Sequence, residues 1–250
     1  MPDATEFDAW HGDVASSSLV NSLFQRALGL PPGFDSNSLL TWSGISEVAA
    51  ALRLSAGQTL VDLACGRGAY GMEVARRTGA RLAGFDFAPS AVAIALRNAV
   101  SRDLAGRAWF GVDDYTAVAM RDHCADAVMC IDAVQFSEPP LAALREFRRI
   151  LVAGGRLAVT AWEPIEPVDD RLPERMRRMN LSRDLREAGF SHVEVTEKPD
   201  WYAAERTLWE SALEAENADG DPALVSLQKE GARALETFAV KRRVLATATA

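Results

Sequence analysis

Residues Thr59 to Gly71 read Thr-Leu-Val-Asp-Leu-Ala-Cys-Gly-Arg-Gly-Ala-Tyr-Gly, and no other stretch of the chain restricts its fold as much. Leu60, Val61 and Leu63 form an apolar run of strand length, and Gly66, Gly68 and Gly71 punctuate the residues after it. A sharp turn from a buried strand into a helix needs positive φ. Glycine adopts it without a Cβ clash and lets a ligand approach the backbone closely. The Gly-x-Gly-x-x-Gly spacing is shared with dinucleotide-binding turns and by itself names no ligand. Asp62 and Cys65 narrow the choice. A phosphate at a helix N-terminus gains little from a carboxylate beside it, whereas a ligand carrying an ammonium group would welcome Asp62.

From this turn onward the chain alternates between the two periods of regular structure. Strand 59–64 leads to helix 69–78, strand 81–86 to helix 89–100, and strand 107–112 to a loop. Strand 126–131 leads to helix 139–151, and Gly154-Gly155 turns the chain into strand 156–162. Pro89 suits a first helical turn. Such alternation implies right-handed crossovers and a parallel sheet. Two helices, near 16–28 and 42–54, precede the first strand and would lie over the carboxyl edge of the sheet, where open α/β folds bind ligands. Later come a helix at 182–188, a strand at 191–197 (Ser-His-Val-Glu-Val-Thr-Glu), a helical stretch from 200 to 240 broken at Asp219-Gly220-Asp221-Pro222, and a β-branched run at 243–249.

The formal net charge of −8 argues against nucleic acid or anionic membrane as a partner, since both need clustered Lys and Arg. The one basic run, Arg171 to Arg183, holds five arginines and reads as a solvated helix end. Three cysteines, Cys65, Cys124 and Cys130, suggest no disulfide framework and fit a reducing cytoplasm. The N-terminal Met-Pro-Asp-Ala-Thr-Glu lacks the apolar core of a signal peptide. No apolar run reaches the ~20 residues needed to span a bilayer.

In Asp62, the Cys-Gly-x-Gly turn and the helix behind it, the chain resembles the class I S-adenosylmethionine-dependent methyltransferases, most strongly over 59–162. Gly154-Gly155-Arg156-Leu157 matches that family's last common motif, with a packing and turning role. The resemblance implies a Rossmann-like, doubly wound, seven-stranded and mostly parallel sheet whose last strand is antiparallel. It adds N-terminal helices and a helical insertion before the last strand. The implied organisation is an N-terminal helical cap at 1–55, a cofactor-binding core at 56–198, a helical lid or oligomerisation arm at 199–241, and a last core strand at 242–250. Trp201, Tyr202, Trp209 and Phe238 would be the apolar contacts of that arm.

The same resemblance implies S-adenosyl-L-methionine as cofactor, S-adenosyl-L-homocysteine as product, and a set of ligand positions. Asp62 would meet the ammonium of the methionine end, and Ala64, Gly66 and Gly68 would be cofactor-binding positions of the turn. Asp86, twenty residues after Gly66, would take the ribose hydroxyls, as an acidic residue does in dinucleotide folds. Phe87 and Tyr115 would flank the adenine, and Asp114 would take its amino group, with Asp113 as the fallback. Cys130 would offer its carbonyl to the ammonium. Asp132 and Gln135 would project to where acceptor and methyl group meet. If the acceptor is a hydroxyl, a base within hydrogen-bond reach helps, and His11, Asp132 and His123 are the candidates. No Asn-Pro-Pro-Tyr or Asp-Pro-Pro-Tyr sequence is present, so a base or glutamine amide is not indicated as target. The expected enzyme moves a methyl group to a small-molecule acceptor, at an oxygen as in natural-product tailoring, with nitrogen or carbon as alternatives. It needs no metal and is compatible with a homodimer. A nicotinamide oxidoreductase is disfavoured because Tyr70 and Tyr115 have no lysine in register. A methyltransferase-fold protein that binds cofactor without turnover is the remaining rival.

Overall fold

The computed structural model describes residues 17–34, 38–216 and 220–250. Helices α1 (Ser18–Leu28) and α2 (Trp42–Leu52) come first. The alternating core comes next: β1 (Thr59–Leu63), α3 (Ala69–Thr78), β2 (Arg81–Asp86), α4 (Pro89–Ser101), β3 (Ala108–Val112), β4 (Ala125–Ile131), α5 (Pro140–Ile150) and β5 (Leu151–Pro164). The rest comprises α6 (Glu174–Arg177), α7 (Leu181–Glu187), β6 (Ser191–Glu197), α8 (Pro199–Glu214), α9 (Pro222–Glu236) and β7 (Lys241–Thr249). The caps are those the sequence offers. Ser17 and Thr41 side chains accept from Val20 and Gly44 N–H at the starts of α1 and α2, and Pro89 opens α4.

One seven-stranded sheet has the order β3-β2-β1-β4-β5-β7-β6. β1 to β5 pair in parallel, and β7 runs antiparallel to both β5 and β6. This is the Rossmann-like sheet with an inserted last strand that the sequence implied. β5 starts five residues earlier than the spacing suggested, because Leu151 already pairs with Ala125 before a register shift. The two glycines sit within that irregularity. Gly154 has φ 77°, and a Cβ on Gly155 would lie 2.9 Å from the Val152 carbonyl oxygen.

Strand alternation splits the core in two. Leu60, Leu82, Phe110, Met129, Ala158 and Leu245 face one side, under α1 to α4, α8 and α9. Val61, Leu63, Val128, Cys130, Val159 and Val244 face the other, under α5 and α7. The insertion is therefore no loose appendage. Trp201 and Trp209 of α8 are buried in the first core together with Leu28 of α1 and Ile45 of α2. α8 lies so close to α2 that a Cβ on Gly44 would stand 3.0 Å from the Trp201 ring. Three short-range ties consume most of the basic run: Arg171 with Asp169, Arg177 with the Leu172 carbonyl, and Arg183 with Asp184.

Candidate active site

The strand order reverses direction between β1 and β4, and crevices of open α/β sheets form outside the carboxyl ends of strands at such a switch point. The glycine turn stands there. Ala64, Gly66 and Gly68 all have positive φ, at 58°, 51° and 77°. The two carboxylates flank the turn. Asp86 accepts from Gly66 N–H at 2.7 Å with one oxygen and from Ala88 N–H at 3.0 Å with the other. Asp62 accepts from the Gly71 N–H, and a Cβ at Gly71 would stand 2.5 Å from its Oδ2. Gly71 is thus a packing requirement of Asp62, a reason the spacing alone did not reveal. Burial, with the nearby Asp86 charge, holds the Asp62 carboxyl well above the usual carboxylate range. Burial first, and then the charges of Asp62 and Asp86, push the Cys65 thiol up.

The other sequence-selected positions spread around this turn. Phe87 is half-buried just past β2. Asp113 and Asp114 close the loop after β3: Asp113 accepts from Ala119 N–H, and the exposed Asp114 accepts from Thr116 N–H and Oγ1. Tyr115 lies on the second core face beside Phe147, with ring centroids 6.3 Å apart, and its hydroxyl reaches the Ala133 carbonyl at 3.5 Å. Cys130 is fully buried in β4, opposite Val159 of β5. Among the described residues no group of His, Cys, Asp and Glu could hold a metal ion.

Asp132 comes directly after β4 with φ 55°, and its carboxylate is fully occupied. Oδ1 accepts from Thr160 Oγ1 at 2.6 Å and Arg243 Nη2 at 2.9 Å; Oδ2 accepts from Ser38 Oγ at 2.5 Å and Leu39 N–H at 3.1 Å. A carboxylate has about four lone-pair sites, so none is left for an acceptor's proton. Asp132, expected as a proton acceptor, is used here by four bonds within the chain that anchor residues 38–39 and Arg243. Tyr70, in the first turn of α3, ties down the same segment by donating to the Ser38 and Leu40 carbonyls at 3.1 Å each. Gln135 is buried, its amide nitrogen donating to the Asp132 carbonyl at 2.6 Å, while its Oε1 has no partner among the described residues. His123 is also corrected. It precedes β4 at the opposite, amino edge of the sheet, where Nδ1 meets the Leu151 carbonyl at 2.9 Å. His11 lies outside the described residues.

Sequence reasoning missed the buried ionic cluster beside Asp132. Arg243 is wholly buried, bonded to Asp132 and to Glu205 Oε2 at 3.1 Å, and its guanidinium lies 4.2 Å from the Trp162 ring centre. Glu205 in turn accepts from Trp162 Nε1 at 2.9 Å and Trp209 Nε1 at 3.1 Å. Trp162 pairs directly with Arg243 across β5 and β7, and Pro164 with Lys241. Paired residues share a face, so Thr160, Trp162, Arg243 and Lys241 all point under α8. Two signals could have found this. Glu205 falls between Trp201 and Trp209 at helical spacing, on the face that those rings bury. Lys241 and Arg243 alternate in a strand otherwise bound for the core.

Comparison with known proteins agrees with this geometry. Residues 61–159 match the family model described as a methyltransferase domain. The chain is 26% identical over 150 residues to the sterol 24-C-methyltransferase erg6 of Aspergillus fumigatus, covering 60% of this chain and 40% of that protein. It is likewise 26% identical over 165 residues to the O-methyltransferase resE of Aspergillus sclerotiorum, covering 62% of each. The chain thus spans between two fifths and about three fifths of the length of these curated relatives. Among solved structures, the [4+2]-cyclase SpnF superposes with a TM-score of 0.74 at 25% identity, covering 92% of both chains. A sheet ordered 3-2-1-4-5-7-6, a glycine turn at its switch point and a match to a methyltransferase domain over residues 61–159 make this chain similar to the class I S-adenosylmethionine-dependent methyltransferases.

Proposed function

We propose that the protein binds S-adenosylmethionine at the glycine turn and directs its methyl group to an oxygen of a small-molecule acceptor. The observation that carries this reading is the acidic floor of the turn. Asp62 and Asp86 flank Gly66 to Gly71, and Asp62 is held protonated beyond the usual range by burial and by Asp86. Such a floor repels a phosphate and is relieved by a cationic ligand. The residues also fit the cofactor's other demands. Asp86 ends β2 beside the turn, where its carboxylate can accept from ribose hydroxyls. On the acceptor side, the unpartnered Oε1 of Gln135 can accept from an acceptor hydroxyl.

When bound, S-adenosylmethionine supplies a methyl group on a sulfonium leaving group. The chain's own residues then contribute position rather than bond making. Ala64, Gly66, Gly68, Phe87, Asp114, Tyr115 and the Cys130 carbonyl would frame the cofactor. Asp132, fixed on all four sites, holds residues 38–39 and Arg243 around the cleft. Gln135 would orient an acceptor hydroxyl by hydrogen bonding, and His11 is the group left to take its proton. The oxygen assignment leans on resE, named an O-methyltransferase, against erg6, named for carbon.

A second reading has its own support. SpnF, similar over nearly the whole of both chains, is named a cyclase, and the Asp132 carboxylate is filled. Under that reading the chain binds the cofactor as a structural element and does not transfer methyl. Calorimetric titration with S-adenosylmethionine, S-adenosylhomocysteine and NAD tests the cofactor assignment, and absence of heat with the first two overturns it. Release of S-adenosylhomocysteine from labelled cofactor in extract of the native source separates methyl transfer from binding alone.

A further inference from the structure

Lys241 is unlike the other buried charges of the protein. It is 8% exposed, yet among the described residues its ammonium has no carboxylate within ion-pair distance and no hydrogen-bond acceptor. What surrounds it is aromatic: the nitrogen lies 5.8 Å from the Trp162 ring centre and 5.4 Å from that of Phe238. Tyr202 packs on Phe238 with centroids 4.2 Å apart, extending the apolar wall.

The neighbouring charges do not satisfy it. Both Glu205 oxygens are committed, one to Trp209 and the other to Trp162 and Arg243. Glu205 and Glu230 both lie in the field of Lys241 and favour its charged form, but neither bonds to its ammonium. Arg243 adds a second cation on the same indole. Asp132 has no site to spare. A buried ammonium left with unused donors is costly, and the cost is removed when an anion arrives.

Its place in the fold says which ligand. β7 is antiparallel, so its first residue stands at the carboxyl edge of the parallel strands, opposite Pro164 at the end of β5. The glycine turn and Asp86 occupy the β1–β2 side of that edge. Lys241 stands on the β4–β5 side, past Asp132 and Trp162, where an acceptor would lie.

We propose that Lys241 is the specificity residue of the acceptor pocket and that the acceptor carries an anionic oxygen, a carboxylate or an acidic phenol, on a flat apolar body. Lys241 binds that oxygen, and the Trp162 and Phe238 rings pack the body. This rests on the methyltransferase reading of the site and adds the acceptor's chemical class to it.

The test is a binding screen on the full chain saturated with S-adenosylhomocysteine. A panel of aromatic carboxylic acids and phenols is compared with the corresponding amides and methyl ethers by saturation-transfer NMR, and affinities of the binders are then titrated. The wild-type protein should favour the charged member of a pair about tenfold or more. Lys241→Met should abolish that preference, and Lys241→Arg should keep it. Both variants should retain wild-type affinity for S-adenosylhomocysteine and a cooperative thermal transition. No preference for the acids in the wild type, or a preference that survives in Lys241→Met, overturns the proposal. Failure of the wild type to bind S-adenosylhomocysteine at all overturns the cofactor reading beneath it.

Discussion

Replacing Arg243 with methionine would strand two buried carboxylates at once. Asp132 and Glu205 are 6% and 1% exposed at the side chain, and Arg243 is their shared cation at 2.9 and 3.1 Å. Removing one partner of a buried ion pair costs ~3–5 kcal/mol, because a charge is left uncompensated. Loss of the guanidinium from the Trp162 face adds ~1–2 kcal/mol. Against this, Asp132 keeps Thr160, Ser38 and Leu39 as donors, and Glu205 keeps two indole N–H groups. The net expectation for Arg243→Met is a loss of ~4 kcal/mol. At ~2–4 °C per kcal/mol for a chain of this size, the melting temperature should fall by ~8–16 °C. Urea titration and calorimetry measure both quantities. Neutralising the stranded acids as well, in Asp132→Asn/Glu205→Gln/Arg243→Met, should recover at least half of the loss, since a well-packed neutral cluster costs less than a broken ionic one. A single-variant loss below ~1 kcal/mol would show that the cluster is solvated, and the reasoning would fail.

Asp86→Ala should leave the fold intact and weaken S-adenosylhomocysteine binding by ~1–3 kcal/mol, since both the ribose contact and the Gly66 anchor go; unchanged heats in calorimetry would refute the ribose role. Asp62 gives a pH-dependent outcome. Its folded pKa is raised above that of an ordinary aspartate, so its contribution favours the fold at low pH and is lost as pH rises through the folded value. Asp62→Asn should therefore melt at or above the wild type at pH ~7, the gap closing as pH falls towards the ordinary aspartate range, while cofactor affinity drops; a variant less stable at neutral pH and unchanged in affinity would contradict this. Gly71→Ala should destabilise by ~1–3 kcal/mol through the contact with Asp62, and Gly71→Ala in an Asp62→Ala background should cost far less. Gln135→Leu should bind cofactor normally and turn over more slowly, as read by S-adenosylhomocysteine release.

The parallel core was legible because its signals are local. Apolar runs such as Leu60 to Leu63, glycines at positive φ and Pro89 at a helix start each act within a few residues. The ligand edge came from the order of elements. What could not be read was long-range pairing of charge. Arg243 lies 111 residues from Asp132 in sequence and 38 from Glu205, and nothing in composition marks those three as partners. Asp132 was selected for its place at the end of β4, which the structure bears out, and not for its neighbours, which fill it. His123 was a simpler miss: it precedes β4, so chain direction alone puts it at the amino edge, away from the ligand edge.

The position of β7 has a consequence for how the chain is made. During synthesis the β5 edge and all of β6 wait without a partner, because the strand that joins them comes after α8 and α9. An unpaired sheet edge is a template for wrong pairing, and contacts of high sequence separation form slowly. Until β7 slots between them, Glu205 and Asp132 also lack their cation. Closing the sheet and supplying the cation of the cluster are then the same event.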